Sequence, residues 1–217
     1  MALYARRELG RGKVENIVRE NLGQISSMNE FNALRCLHPS QLTEAQRSQM
    51  RAIRDAIPDP QDGEAMVKVM SPLEFADLSD LPKKVSSFAA KKADLLGLIK
   101  PSEIIRYLRL DYANSNFMDK GKYIEKIYII EFTKSRNDIV IKPYSKEIGG
   151  DGSIINEYPN TGNGFTSNID GKVLPEYYIT YRQLLGKGST LYEITENNEI
   201  LIKKIFDGKN WIDYINK

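Results

Sequence analysis

The chain has a single histidine, His38, and a single cysteine, Cys36. One cysteine permits no internal disulfide and no cysteine cluster for zinc. One histidine excludes a two-histidine acid–base pair within the chain and a histidine-rich metal site. A Ser-His-Asp arrangement would have to use His38, which sits in a polar stretch just before Pro39. Long apolar runs are missing too. None approaches the roughly 18 residues of a membrane span, and Met1 to Gly12 has no apolar signal-peptide core. If the chain is exported, the signal is expected elsewhere, for instance on a longer precursor. An excess of one charge is also absent, since the formal net charge is only +2. That excludes nucleic-acid binding by bulk electrostatics and leaves a local basic cleft open. No clustered Asp/Glu pattern of the two-metal kind is visible, so neither a metal site nor a cofactor is expected. Catalysis would have to rest on Arg, Lys, Asp, Glu, Tyr, Ser or Thr.

What is present fits an ordinary globular composition, with 217 residues, 41% of them apolar and 28% charged. Residues 1 to about 57 read as helical. Val14, Ile17, Val18 and Leu22 fall at helical spacing, and Gly23 is a stop signal. Ser27 with Glu30 suggests a cap for a short helix through Phe31, Leu34 and Leu37, ended by Pro39. Thr43 caps a third helix carrying Ala45, Met50, Ile53 and Ile57. Pro58-Asp-Pro60-Gln-Asp-Gly63 then breaks the pattern, which divides the chain into a helical leader, 1–62, and an α+β domain, 63–217.

In the second part Met66, Val67 and Val69 suggest a strand, and Ser71-Pro72 opens a short helix through Leu73, Phe75, Ala76 and Leu78. Phe88 to Ile99 reads as a helix interrupted at Gly97. Ser102 to Tyr112 reads as a helix turning into a strand near Tyr107, which would place Tyr107, Arg109 and Asp111 on one strand face. Tyr123 to Thr133 and Asp138 to Ile141 read as strands with a turn at Ser135 to Asn137. Leu191 to Ile194 and Glu199 to Phe206 form a hairpin through Asn197-Asn198, and Asp207-Gly208 turns the chain toward Trp211. The sheet is expected to be mostly antiparallel.

The densest stretch is YPNTGNGFTSNIDGKVLPEYYITY, from Tyr158 to Tyr181. Asn160, Gly162, Asn163 and Gly164 tolerate positive φ, Phe165 supplies an apolar anchor, and the hydroxyls of Thr166, read as pointing outward, and Ser167 follow it. A second turn, Asn168 to Gly171, precedes Pro175-Glu176 and a β-prone run from Tyr177 to Tyr181. Such a loop can hold hydroxyls and a carboxylate for binding or catalysis, and it can equally be a decorated hairpin.

Composition also shifts along the chain. Through Asp62 the cations are Arg6, Arg7, Arg11, Arg19, Arg35, Arg47, Arg51 and Arg54 against Lys13 alone, whereas from Leu110 onward only Arg136 and Arg182 are arginine. A preference of sheets for tyrosine explains why Tyr4 alone precedes Tyr107, but not the exchange of arginine for lysine. Residues of different genetic origin joined near Ile57-Pro58 would explain both.

That layout, with GKVENIVRENLGQISSMNEFNALR (Gly12 to Arg35), the proline-rich join and TGNGFTSNIDGKVLPEY (Thr161 to Tyr177), resembles the C-terminal toxin region of bacterial polymorphic toxins. The leader is similar to the segment that precedes the variable domain in Maf-type and contact-dependent inhibition toxins. The resemblance implies secretion as part of a longer precursor, action in the cytoplasm of a target cell, and a cognate immunity protein. It does not fix the chemistry. A zinc deaminase would lack its histidine and cysteine ligands.

Three functions remain open at this point. The first is a metal-independent ribonuclease acting on RNA. Arg109 with Lys120, Lys122 or Lys172 would hold phosphate, Thr166 and Ser167 would bond its oxygens, Glu176 or Tyr178 would move protons, and Tyr177 would stack a base. The second is an ADP-ribosyltransferase or NAD glycohydrolase, whose pattern of arginine, Ser/Thr strand and later glutamate has counterparts in Arg109, Thr166-Ser167 and Glu176. The third is a non-enzymatic binding domain.

Overall fold

The computed structural model describes residues 11–75, 81–136, 140–150, 161–168 and 172–215. The expected turns at Tyr158–Asn160 and 169–171, the end of the short helix at Ala76–Leu78, and Asn137–Asp138 lie outside the described residues, as does the side chain of Tyr181.

The helical leader forms α1 (Arg11–Glu20), α2 (Met28–Leu34) and α3 (Glu44–Ala56). Local chemistry fixes where these helices start. Ser27 Oγ accepts the amide of Glu30 at 3.2 Å, and Glu30 reaches back to Ser26 N at 2.8 Å. At α3, Thr43 Oγ1 accepts Gln46 N while Gln46 Oε1 accepts Thr43 N, a reciprocal cap. Val18, Phe31, Met50 and Ile53 meet in a fully buried core between these helices.

Beyond Gly63 the chain builds an eight-stranded sheet in the order β10-β9-β8-β5-β1-β2-β7-β6. Its members are β1 (Ala65–Met70), β2 (Lys84–Lys91), β5 (Lys126–Thr133), β6 (Val140–Ile141), β7 (Tyr177–Leu184), β8 (Thr190–Thr195), β9 (Ile200–Phe206) and β10 (Trp211–Asp213). Every pairing among them is antiparallel. A separate two-stranded ribbon joins β3 (Met118–Asp119) to β4 (Lys122–Tyr123), and α4 (Pro101–Tyr107) precedes it. The fold is α+β, with a curled, antiparallel sheet.

Alternation along the strands divides the sheet's apolar side chains between two cores. Met66, Met70, Tyr128, Ile130, Tyr177, Ile179 and Phe206 fill the inside of the curl. Val67, Ile127, Ile129 and Ile194 face the other way, onto Leu95, Ile104 and Ile105.

Two expectations need correction. Phe88 to Ile99 is not a helix, since Lys84–Lys91 is strand β2 and Lys92–Leu95 a single 3-10 turn. Nor does a strand follow α4. Leu108 caps the helix, and Arg109 takes a left-handed φ of 53°, so Tyr107, Arg109 and Asp111 share no strand face. Secondary structure does change from helix to strand near Gly63, but one core spans the join. Phe165 and Val173, from the second part, belong to the same cluster as Phe31, Met50 and Ile53. The Phe165 ring packs edge-on against Phe31, with centroids 5.3 Å apart.

Candidate functional site

The segment Thr161–Asn168 is buried at every position, and none of its eight residues is charged. It runs beside Val173–Glu176 as an irregular hairpin leading into β7, with Thr166 N bonded to Leu174 O at 3.0 Å and Glu176 N to Gly164 O at 2.8 Å. Two fully buried arginines from the leader hold it. Arg35 donates to the carbonyls of Thr166 and Asn168 and to Asn168 Oδ1. Arg54 donates to Gly164 O at 2.9 Å and to Glu176 O at 2.8 Å, and its guanidinium lies over the rings of Phe165 and Tyr177. Gly164 is required twice over, because its φ is +83° and a Cβ there would stand 2.8 Å from Arg54 Cγ.

This packing decides what the nominated residues can do. Phe165 is the expected anchor and is wholly buried. Thr166 does not point outward. It is 3% exposed, and its hydroxyl accepts from Asn168 Nδ2 at 2.9 Å. Ser167 is buried as well, and its hydroxyl makes no hydrogen bond among the described residues. Tyr177 is fully buried in the curl, and Tyr178, on the opposite face, stands edge-on to Phe88 at 5.2 Å. Glu176 keeps its carboxyl inside the protein, where Oε2 meets no hydrogen-bond donor among the described residues. Burial pushes that carboxyl up to about 8, against the opposing pull of Arg54. Asp94 has a similar surrounding, with Oδ2 unbonded among the described residues and its carboxyl raised by burial to about 6.

The remaining nominated groups are scattered. Arg109 pairs with Asp111 at 3.1 Å. Lys120 is exposed in the β3–β4 turn with φ 48°. Lys172 lies 4.4 Å above the Tyr107 ring, beside Asp94 and Glu15, at a cavity of about 10 Å³, room for one water. The structure thus joins Thr166, Ser167, Glu176 and Tyr177 in one buried hairpin and leaves Arg109, Lys120 and Tyr178 apart from it.

An open site does exist, away from every residue that the sequence singles out for catalysis or binding. β1 and β2 pair only at Met66↔Lys91 and Val67↔Ala90, and beyond these residues they part. The first half of β2 follows β7 instead, with its register broken between Val85 and Ser87, where Ser87 takes φ 72°. The gap is a groove of about 470 Å³, with Met70, Pro82 and Val85 along it and Lys68, Lys83, Lys84, Arg182 and Ser86 as its polar lining. Lys83 Nζ bonds Asn210 Oδ1 at 3.3 Å, and Lys68 Nζ reaches Phe88 O at 3.5 Å. Among the described residues none of the four cations has a carboxylate within ion-pair distance. Unpaired charges of one sign in a concave site attract anions, whatever the net charge of the molecule. The sequence signal was the Pro82-Lys83-Lys84 doublet, but nothing in it said that Lys68 and Arg182 would join it.

Among the described residues no group of three or more His, Cys, Asp or Glu side chains could hold a metal ion. No described helix is long and apolar enough to cross a membrane. No protein-family model matches the chain, and neither do curated proteins or solved structures.

Proposed function

We propose that the chain is the toxin domain of a bacterial polymorphic toxin and that it cleaves RNA without a metal ion, gripping the phosphate backbone in the groove between β1 and β2. The observation that supports this reading is the set of four cations, Lys68, Lys83, Lys84 and Arg182, around an open groove. Lysine and arginine donors directed into one concavity suit phosphate oxygens, and a split sheet exposes room for an extended strand. The toxin layout of the sequence supplies the rest: secretion within a longer precursor, action in the cytoplasm of a target cell, and neutralisation by an immunity protein that presents carboxylates to the groove. The ADP-ribosyltransferase reading loses its motif, because Thr166 and Ser167 lie in a buried loop and not on a strand.

Induction of the whole chain in a bacterium, with total RNA and the NAD pool followed together, tests the reading. Loss of RNA with intact NAD is expected. Loss of NAD with intact RNA would replace the ribonuclease with an NAD-consuming enzyme, and no growth defect would leave a binding domain. In vitro, at a pH low enough for all four groups to carry a proton, four phosphate contacts predict that log affinity for single-stranded RNA falls with log salt at a slope of roughly −3.

A further inference from the structure

Lys68 is an unusual lysine. It shares a strand face with Met66 and Met70, two residues before and after it, and both of these lie in the core inside the sheet. A lysine at such a position carries its stem through apolar surroundings. Its ammonium meets only one protein oxygen among the described residues, Phe88 O at the long distance of 3.5 Å. The remaining N–H groups are left to the groove. Glu74, the acid whose field reaches Lys68, is engaged with Ser71 N at 2.6 Å. Burial lowers the pKa of the amine, and the charge of Glu74 opposes that shift without cancelling it. Lys83, Lys84 and Arg182 line the same groove.

A second feature marks the same place. Ser87 is not glycine, yet it holds φ 72° in the interior of β2. Strain of this kind persists where surrounding structure enforces it, and it concentrates at working sites. Here it breaks the β2 register beside Ser86, on the lip of the groove opposite Lys68.

Resting on the ribonuclease reading, we propose that Lys68 is the proton-accepting catalytic residue of the groove. The neutral amine takes the proton of an RNA 2′-hydroxyl. The 2′-oxygen forms a bond to the adjacent phosphorus, and the bond from phosphorus to the 5′-oxygen breaks. That oxygen leaves with a proton from the Lys84 ammonium, so the products are a 2′,3′-cyclic phosphate and a 5′-hydroxyl. Lys84 recovers a proton, and Lys68 releases one, through water. Arg182 and Lys83 hold the phosphate oxygens as charge gathers on them. No histidine, metal or cofactor enters the step.

The test compares the wild-type chain with Lys68→Arg and Lys68→Met on a short single-stranded RNA. Arginine keeps the charge and cannot give up a proton at these pH values. Lys68→Arg should therefore retain RNA affinity within a few-fold and lose about a hundredfold or more in rate at saturating RNA. Lys68→Met should lose rate and affinity together. Trp211 fluorescence during unfolding reports whether each variant is folded. The wild-type pH–rate profile is an independent measurement. Its logarithm should climb with pH to a plateau reached below the ordinary lysine range near 10. A flat profile between about pH 6 and 10, or a folded Lys68→Arg within tenfold of wild type, would overturn the role of Lys68 and leave the ribonuclease reading standing. Ends other than a cyclic phosphate would overturn the proposed step. A folded wild-type chain that cleaves no RNA would overturn the underlying function, and the role of Lys68 with it.

Discussion

Arg54 shows how a single side chain can tie distant stretches together. It rises from α3, reaches two carbonyls more than a hundred residues away, and carries two aromatic rings against its faces. Arg54→Met keeps much of the stem but leaves Gly164 O and Glu176 O without their donor. The expected cost is on the order of 3 kcal/mol. Thermal unfolding followed by circular dichroism should show a midpoint lower by roughly 10 °C for a chain of this size. Two carboxyls nearby make stability depend on pH. Burial raises Asp94 to about 6 and Glu176 to about 8, above the values near 4 that carboxyls have in an unfolded chain. The folded state therefore holds these protons more tightly. The contribution is complete below about pH 4 and is lost as pH rises through 6 and then through 8. Melting midpoints should fall between about pH 4 and 8, most steeply up to about pH 6 where both carboxyls contribute, and Glu176→Gln, which mimics the protonated acid, should flatten the part of that decline above pH 6. An unchanged slope in the variant would assign the decline to other groups.

At the scale of elements, legibility depended on whether local pattern and final contacts agreed. The caps of α2 and α3 were readable because a cap is closed by residues three apart, and the β8–β9 hairpin was readable from Asn197-Asn198 between two apolar runs. β2 was not. The register shift at Ser87 destroys the alternation that marks a strand, so Val85, Phe88, Ala89 and Ala90 fall into no period of two. The turn residues of Thr161–Asn168 mark an unusual backbone, but Thr166 lies buried where its setting suggests an outward hydroxyl. Turn residues announce an irregular backbone and do not say what covers it, although eight uncharged residues in a row were a hint of burial. The groove was hidden for the opposite reason, since its four cations come from three strands and the Pro82-Lys83 lead-in. Strain in β2 can be measured. Glycine accepts positive φ without a Cβ clash, so Ser87→Gly should be neutral or stabilising by up to about 1 kcal/mol, the reverse of what glycine does in a regular strand. A clear loss in denaturant midpoint would mean that the Ser87 side chain, rather than its backbone, supports the bulge.

For the whole molecule, the shared core argues against treating the leader as a detachable handle. Strands that begin after Gly63 and a join rich in turn residues suggest a fragment, residues 63–217, that folds alone. Removing the helices would strip Phe165 and Val173 of Phe31, Met50 and Ile53, and would take away both buried guanidinium groups. The fragment should melt below the whole chain, and the amide of Thr166, bonded to Leu174 O, should exchange with deuterium far faster in it. Equal protection in the two proteins would show that the hairpin orders itself. The manner of the grip has a wider consequence. Of the protein oxygens that Arg35 and Arg54 hold in the hairpin, those of Gly164, Thr166, Glu176 and Asn168 are main-chain carbonyls, and only Asn168 Oδ1 belongs to a side chain. Carbonyls are common to every amino acid. Helices that hold a neighbouring segment by these bonds read its backbone, and the side-chain part of the fit falls to Phe165 and Val173 in the shared core and to the Phe165 and Tyr177 rings beside Arg54. A different sequence would be held in the same way if its backbone traced the same bend, kept apolar side chains at those places and offered a glycine where Arg54 passes.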